Sequence, residues 1–494
     1  MSKSTSEYIS TAHWSSSAQG LVSNLVQHGL NSAQDMLARV SLRGRLRTIA
    51  QTGILSTFEN IKYGRLTVCT PEGTLEFGQP FLLQSDGVPR DLTARIDVMD
   101  EEFWTRLFLH PDFGFADAYM LHMIEVDSLE NVFRMFILNR KHLGEMHSLV
   151  SPILRAFSFV ANSRYANSLS GSKRNISVHY DLPEELFTGF LSWDMTYSCA
   201  IFDDEAGGHT GDLTSKRPIA PPRMVYLESR SDPPDDLERG QLAKLHRIAQ
   251  KARLKKGSRV LEIGCGWGSF AILAARHYGA IVDTLTISES QKVATEQNVS
   301  DAGLSDSITV HLMDYRDMPA IFHKAFDAVV SIGVTEHVGI EYLDTWFQKI
   351  SWAMKSEDSF KVFTMSTVPD TRWLQYQSEV DFFRKYIYPG AALSTVGTLV
   401  NAITKVGLNV ESIEDLSPHY TRTAREWGYR FQRNFDTHIK PAFKKQHPEI
   451  SDEQLEIFRR KWIYYFAYCE GGFALRCIYD HLFVVTREHN TLGY

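Results

Sequence analysis

Polar side chains that could hold a nucleoside stand in three short stretches of the 494-residue chain. Glu262 closes an apolar run that begins at Val260, just before Gly264, Gly266 and Gly268. Thr286, Ser288 and Gln291 follow a second apolar run, and Asp314 and Tyr315 a third. A carboxylate beside a glycine turn can hold an amino group or order the turn. Hydroxyl and amide groups at the next strand end can meet a ribose, and an acid with an aromatic ring can meet an adenine edge and face. Each alone could be a helix cap or a turn residue; three such strand ends in one unit point to an adenosyl ligand.

The elements that must position them are legible. RVLEIGCGWGSFAILAARHY reads as strand, glycine turn and helix, and a β-rich run from Ile281 to Ile287 completes a βαβ unit. The strands should be parallel with a right-handed crossover, and the ligand crevice should open at their carboxyl ends. Glycine lets the backbone turn sharply and approach a ligand closely. The spacing GxGxG lacks the last glycine of a GxGxxG dinucleotide fingerprint, because Ser269 stands there, and no GK[ST] follows to make a P-loop. A third strand is expected over Ile308 to Leu312 and a fourth over Phe326 to Gly333, followed by VTEHVGIEYL. Alternation continues to a last apolar run, Leu482 to Thr486. The pattern predicts a doubly wound, mostly parallel α/β sheet.

Hydrophobic residues make up 43% and charged residues 22%, the composition of a soluble globular protein. A net charge of −7 argues against bulk attraction to nucleic acid or anionic membrane. The five cysteines form no CxxC pair, and no histidine cluster has zinc spacing, so neither a disulfide framework nor a metal is expected. The N-terminus lacks the apolar core of a signal peptide, and no stretch reaches the length of a membrane span. A cytoplasmic protein is expected, with any membrane contact local.

Residues 1–18 are polar and serine-rich. Residues 19–58 have helical spacing and carry Arg39, Arg43, Arg45 and Arg47, either a solvated face or a basic patch for phospholipid headgroups. Residues 61–98 read as short antiparallel strands with a hairpin turn at Pro71 to Gly73, and 101–141 as helix. Residues 1–165 are thus expected to form a small α+β domain and 166–494 the larger one. An aromatic-rich stretch, 178–202, precedes an aperiodic loop, 203–236, and a helix from Leu237. That helix carries the basic run Arg247 to Lys256, read as solvated.

VLEIGCGWGSFA, TISESQ, DYRD, SIGVTEHVG, MTYSCAIF, YIYPG, PHYTRT and YCEGGF together resemble the cyclopropane-fatty-acid synthases and their mycolic-acid and sphingolipid C-methyltransferase relatives. The resemblance runs from about residue 60 to 490. It implies a Rossmann-like class I methyltransferase domain using S-adenosylmethionine, with a smaller N-terminal α+β domain that presents lipid. The cofactor would lie against Tyr180, Tyr197, Ser198, Gly264, Gly266, Thr286, Ile287, Gln291, Asp314, Tyr315 and Ile332, with Glu262 added from the reading above. The implied substrate is an unsaturated lipid acyl chain met at the membrane surface, and a homo-oligomer is compatible with it.

In the family an alkene attacks the sulfonium methyl and a base then removes a proton; in cyclopropane formers that base is a bicarbonate ion. Cys199, Glu336 and Tyr420 match its binding residues. The family's LHTI pattern becomes Met365, Ser366, Thr367 and Val368 here, so Ser366 stands where histidine is expected. A serine can bond an anion but brings no positive charge, which leaves C-methylation without ring closure open beside cyclopropane formation. His337 and His419, next to matched residues, are candidate substitutes. A soluble unsaturated metabolite as substrate and a catalytically silent lipid-binding relative are the other readings.

Overall fold

A computed structural model describes residues 44–84, 90–143, 182–213, 234–378, 381–388 and 392–490. Helix α1 (residues 44–58) leads into strands β1 (Gly64–Thr70) and β2 (Gly73–Gln79), which form the expected hairpin with Thr70 opposite Gly73. A small ribbon of β3 (Leu82–Leu83) and β4 (Arg90–Asp91) follows, then β5 (Thr93–Val98), which runs parallel to β1. The region read as continuous helix, 101–141, is instead α2 (Glu102–Leu109), α3 (Pro111–Met120), strand β6 (Ile124–Val126) and α4 (Leu129–Leu143). The reason is pairing: β6 adds to β5, with Ile96 opposite Val126, and supplies backbone partners that an edge would lack. Sheet order is β2-β1-β5-β6.

After α5 (Glu184–Phe190), residues 191–202 run without regular structure. Their aromatic density marks burial rather than helix. Helix α6 (Asp236–Lys251) starts with a capping box between Asp235 and Glu238, one residue earlier than the sequence suggested. Then come β7 (Arg259–Ile263), α7 (Ser269–Tyr278), β8 (Ile281–Thr286), α8 (Glu289–Asp301), β9 (Ile308–Leu312), β10 (Ala328–Ile332), α9 (Leu343–Ala353), β11 (Phe360–Thr367), α10 (Val396–Lys405), β12 (Leu408–Asp415), α11 (Ser417–Asn434), α12 (Asp452–Ala474) and β13 (Tyr479–Arg487).

The seven-stranded sheet has the order β12-β13-β11-β10-β7-β8-β9. β7 to β11 are parallel; β13 inserts antiparallel between β11 and β12. The order reverses at β7, with β8 on one side and β10 on the other. That reversal leaves a crevice at the carboxyl ends.

The expected domain boundary near residue 165 lies outside the described residues, as do residues 1–18, Arg39, Arg43 and most of loop 203–236. Arg47 pairs with Glu101 at 2.5 Å, so its charge is locally matched. The start of the loop is ordered by buried Arg422, which donates to the carbonyls of Ala206 at 2.8 Å and Gly208 at 2.6 Å. In the basic run, Arg247 and Lys251 pair with Glu414, and Arg253 pairs with Glu411 and covers the Phe360 ring.

One apolar core joins the first sheet to the second half of the chain. Phe103, Trp104, Phe115 and Phe133 share it with Phe190, Trp427, Trp462 and Phe466. Within it, Glu470 on α12 accepts from Arg134 on α4 at 2.9 Å and from Arg425 on α11 at 3.0 Å, all three buried. Removing one member of a buried ion cluster strands the others away from water. Glu470→Ala is therefore expected to destabilise the chain by about 3–5 kcal/mol in urea denaturation; a loss under about 1 kcal/mol would mean that the apolar contacts alone join the two parts.

Candidate active site

The turn after β7 leaves no room for a side chain. Gly264 has φ +93°, and a Cβ there would lie 2.4 Å from Val334 Cγ2. Gly264 and Cys265 both donate backbone N–H bonds to the Leu285 carbonyl, which fixes the turn against β8. Gly266, at φ +52°, has open space where its Cβ would be.

A cavity of about 690 Å³ opens over this turn. Tyr197, Ser198, Glu262, Gly264, Gly266, Thr286, Ile287, Gln291, Asp314, Tyr315 and Ile332 all line it; Tyr180 lies outside the described residues. Glu262 is buried, accepts from Thr284 Oγ1 at 2.5 Å, and is pushed up to about 8 by burial. Thr286 Oγ1 donates to Gln291 Oε1 at 2.9 Å. Ser288, read beside them, caps α8 instead by accepting from the Gln291 N–H. Arg316 grips Asp314 through two bonds, which holds that carboxyl below its ordinary range. Tyr315 stands edge-on to Trp346 at 4.7 Å, and Ile287 leaves 80% of its surface exposed at the mouth.

A second cavity, about 130 Å³, adjoins the first and is lined in part by aromatic rings, among them Phe383, Tyr465, Tyr468 and Phe473. Glu336, Ser366 and Tyr420 line it together with Asp480. Five residues, Tyr197, Ser198, Gly333, His337 and Tyr388, face both cavities and form the wall between them. Tyr420 stacks on Phe473 at 4.3 Å. Glu336 accepts the Ser366 N–H at 2.7 Å and is pushed up to about 7 by burial.

Cys199 is the expected site residue that lines neither cavity. Its thiol donates to the carbonyls of Ala200 and Leu416, and burial pushes it well above the ordinary thiol range. The two histidines also part. His337 faces both cavities and is held neutral by burial, whereas His419 accepts from the Phe202 N–H at 3.2 Å and lines neither.

Two buried groups were not foreseen. Asp480 sits on β13 in the run IYDHLFVV, where an acid among buried strand residues was the available signal. Lys244 lies on the stripe of α6 that carries Leu237, Gln241, Leu245 and Ile248. Its ammonium donates to Ser198 Oγ at 2.8 Å, and burial lowers it to about 8. Among the described residues, no group of three or more His, Cys, Asp or Glu side chains could hold a metal ion.

A family model described as mycolic acid cyclopropane synthetase matches residues 167–481. The tuberculostearic acid methyltransferase UfaA1 of Mycobacterium tuberculosis is 31% identical over 323 residues, 65% of this chain and 67% of that protein. The cyclopropane-fatty-acyl-phospholipid synthase of Escherichia coli K12 is 30% identical over 393 residues, 78% of this chain and 86% of that one. Among solved structures, coclaurine N-methyltransferase bound to N-methylheliamine and SAH superposes with a TM-score of 0.53 at 18% identity. The superposition covers 75% of this chain and 98% of that one, and it supports the class I methyltransferase fold.

Burial holds the Glu336 carboxyl at about 7 against an ordinary 4.5, so over that window the folded chain keeps a proton that the unfolded chain has released. Stability from this group is intact below its unfolded value and is lost as pH rises through its folded one, by about 3 kcal/mol in all. Glu336→Gln cannot ionise and should flatten that slope, gaining stability relative to wild type above about pH 7 in urea titrations across pH. An unchanged slope would show that Glu336 is ionised throughout.

Proposed function

The chain belongs to the mycolic acid cyclopropane synthetase family of S-adenosylmethionine-dependent methyltransferases, and from that premise we propose that it transfers a one-carbon unit to the double bond of an unsaturated fatty acyl lipid. The observation that carries this reading is the pair of cavities meeting at one wall, the larger lined by Glu262, Gln291 and Asp314 at strand ends, the smaller by Glu336, Ser366 and Tyr420.

The residues of the larger cavity fit the cofactor. Gly264 and Gly266 would let the backbone approach it, Glu262 would offer a buried acceptor to its amino group, and Gln291 would meet the ribose. Asp314 would take the adenine edge, while Ile287 and Tyr315 would offer apolar surface to its faces. When bound, S-adenosylmethionine supplies an electrophilic methyl group whose bonding pair leaves with sulfur as the alkene pair forms the new carbon–carbon bond.

The smaller cavity holds the reacting segment of the acyl chain. An alkene is a weak nucleophile, so the walls must align it and exclude water. Tyr197, Tyr388 and Tyr420 present ring faces that stabilise the positive charge developing on carbon. Glu336 serves the removal of the proton that follows. Loss from the added carbon with ring closure gives a cyclopropane; loss without ring closure leaves a methyl-branched or methylene-bearing chain. Ser366 in place of histidine favours the second outcome as an alternative.

The N-terminal unit presents the lipid. Ile49, Leu82 and Met99 are exposed on it, which supports peripheral membrane contact in the cytoplasm. No described helix is long and apolar enough to cross a membrane.

The test is mass spectrometry of lipids from a host that expresses the chain and is fed methyl-labelled methionine, with proton NMR of the product. A labelled acyl chain one carbon heavier is expected; high-field ring protons identify the cyclopropane and a branched-methyl or methylene signal the alternative, and no labelled lipid would refute the reading. Gly264→Ala adds a Cβ at 2.4 Å from Val334 in a left-handed backbone, and should weaken S-adenosylhomocysteine binding at least about tenfold by calorimetry. Unchanged affinity would remove the turn from the cofactor site.

A further inference from the structure

Three acids line the smaller cavity: Asp381, which accepts from the Arg384 N–H and lies 3.6 Å from its guanidinium, and the pair Glu336 and Asp480. Glu336 comes from the 3-10 turn Thr335–His337 after β10, and Asp480 from β13, where it is paired in register with Ser366 of β11. Ser366 fixes both. Its N–H donates to Glu336 Oε1 at 2.7 Å and its Oγ–H to Asp480 Oδ1 at 3.3 Å. The other oxygen of each, Glu336 Oε2 and Asp480 Oδ2, is buried without a hydrogen-bond partner among the described residues. Glu336 is 9% exposed and Asp480 3%, and both line the cavity.

Several groups face this pair. Lys244 approaches from α6, Asp415 from the end of β12, Cys199 from the segment before α6, Tyr420 from α11, and His337 from the turn that carries Glu336. Lys244 is the ammonium among them, and it also faces Glu262 and Asp194. Asp415 has Arg476 at 3.0 Å and Asp381 has Arg384 at 3.6 Å; Lys244 alone cannot neutralise both Glu336 and Asp480, and two bare charges in so dry a place repel. Burial and the neighbouring carboxylate both push Asp480 upward. A third anion brought to this spot would meet charge of its own sign.

We propose that Glu336 and Asp480, fixed on Ser366, are the proton acceptor for the reacting acyl carbon, so that the chain needs no bicarbonate. This rests on the reading above, one-carbon transfer to an acyl chain. The C–H bond breaks, its electron pair stays on carbon to close the ring or form a double bond, and the proton forms a new O–H bond on a carboxylate oxygen. Asp480 keeps a proton while Glu336 receives the transferred one, which later passes to water.

The test uses the purified full chain with S-adenosylmethionine and vesicles of monounsaturated phosphatidylethanolamine and phosphatidylglycerol. In buffer stripped of carbon dioxide, adding bicarbonate should change wild-type turnover by less than about twofold, while Asp480→Asn and Glu336→Gln should each lower it at least about 100-fold. Affinity for S-adenosylhomocysteine should stay within about threefold in both variants. The infrared carbonyl band of protonated carboxyl groups near neutral pH should be weaker in Asp480→Asn than in wild type, against a constant contribution from Glu262.

Stimulation of wild-type turnover by bicarbonate of about tenfold or more, or an Asp480→Asn variant that keeps more than about a tenth of wild-type turnover, would overturn the proposal. So would an infrared band unchanged by that substitution. If Asp480→Asn fails to fold, the bicarbonate comparison on wild type and the Glu336→Gln variant still decide. If no lipid is turned over at all, the reading of one-carbon transfer to an acyl chain fails, and the infrared comparison still decides whether the pair holds a proton.

Discussion

Everything at the carboxyl edge of the large sheet depends on a steric constraint at one turn. The sheet order reverses at β7, so the chain leaving that strand must bend away before it meets either neighbour. Val334, from the segment after β10, fills the space that a side chain at residue 264 would need. Because the turn is bare, the Gly264 and Cys265 N–H groups reach the Leu285 carbonyl and lock β7 to β8. Strand ends that carry Glu262, Thr286 and Asp314 then converge on one cavity, and α7 can start directly after Gly268, whose left-handed conformation turns the chain into the helix.

Buried charge is handled in two different ways. Where the chain needs rigidity, ions are matched: Glu470 with Arg134 and Arg425, and Arg422 with Asp236 and two loop carbonyls. Around the two cavities the matching is incomplete. Glu262, Glu336 and Asp480 are all pushed up by burial, and Lys244 is lowered by it. Incomplete matching costs stability, and a fold retains it where protonation states must change. The contrast separates the scaffold, which joins the N-terminal sheet to α11 and α12, from the region that handles protons.

The same division decides what the sequence disclosed. The larger cavity was legible in the part whose residues follow strand ends within one stretch, 262–315, where local pattern fixes position; Tyr197, Ser198 and Ile332 lie outside it and came from the resemblance. The smaller cavity draws on residues from 197 to 480, brought together because β13 returns antiparallel beside β11. No local pattern announces that. Cys199 matched by motif, yet its thiol turns to the Leu416 carbonyl. Lys244 and Asp480 went unread because each sits in an apolar stripe that periodicity assigns to the core. The helical reading of 101–141 missed β6 for a related reason, since its three residues pair with β5, which ended some 25 positions earlier.

Ser366 shows why a single substitution is a poor unit of inference. Taken alone, its replacement of histidine removes a positive charge and an imidazole from the cavity. In the sheet, residue 366 is register-paired with Asp480, and such pairs share one face and one volume. A serine is short enough to leave the carboxylate room and to bond it through the hydroxyl, while its backbone N–H still holds Glu336. An imidazole at the same place would compete with Asp480 for that space. The serine and the carboxylate therefore act as one unit in this cavity, which carries its own anion.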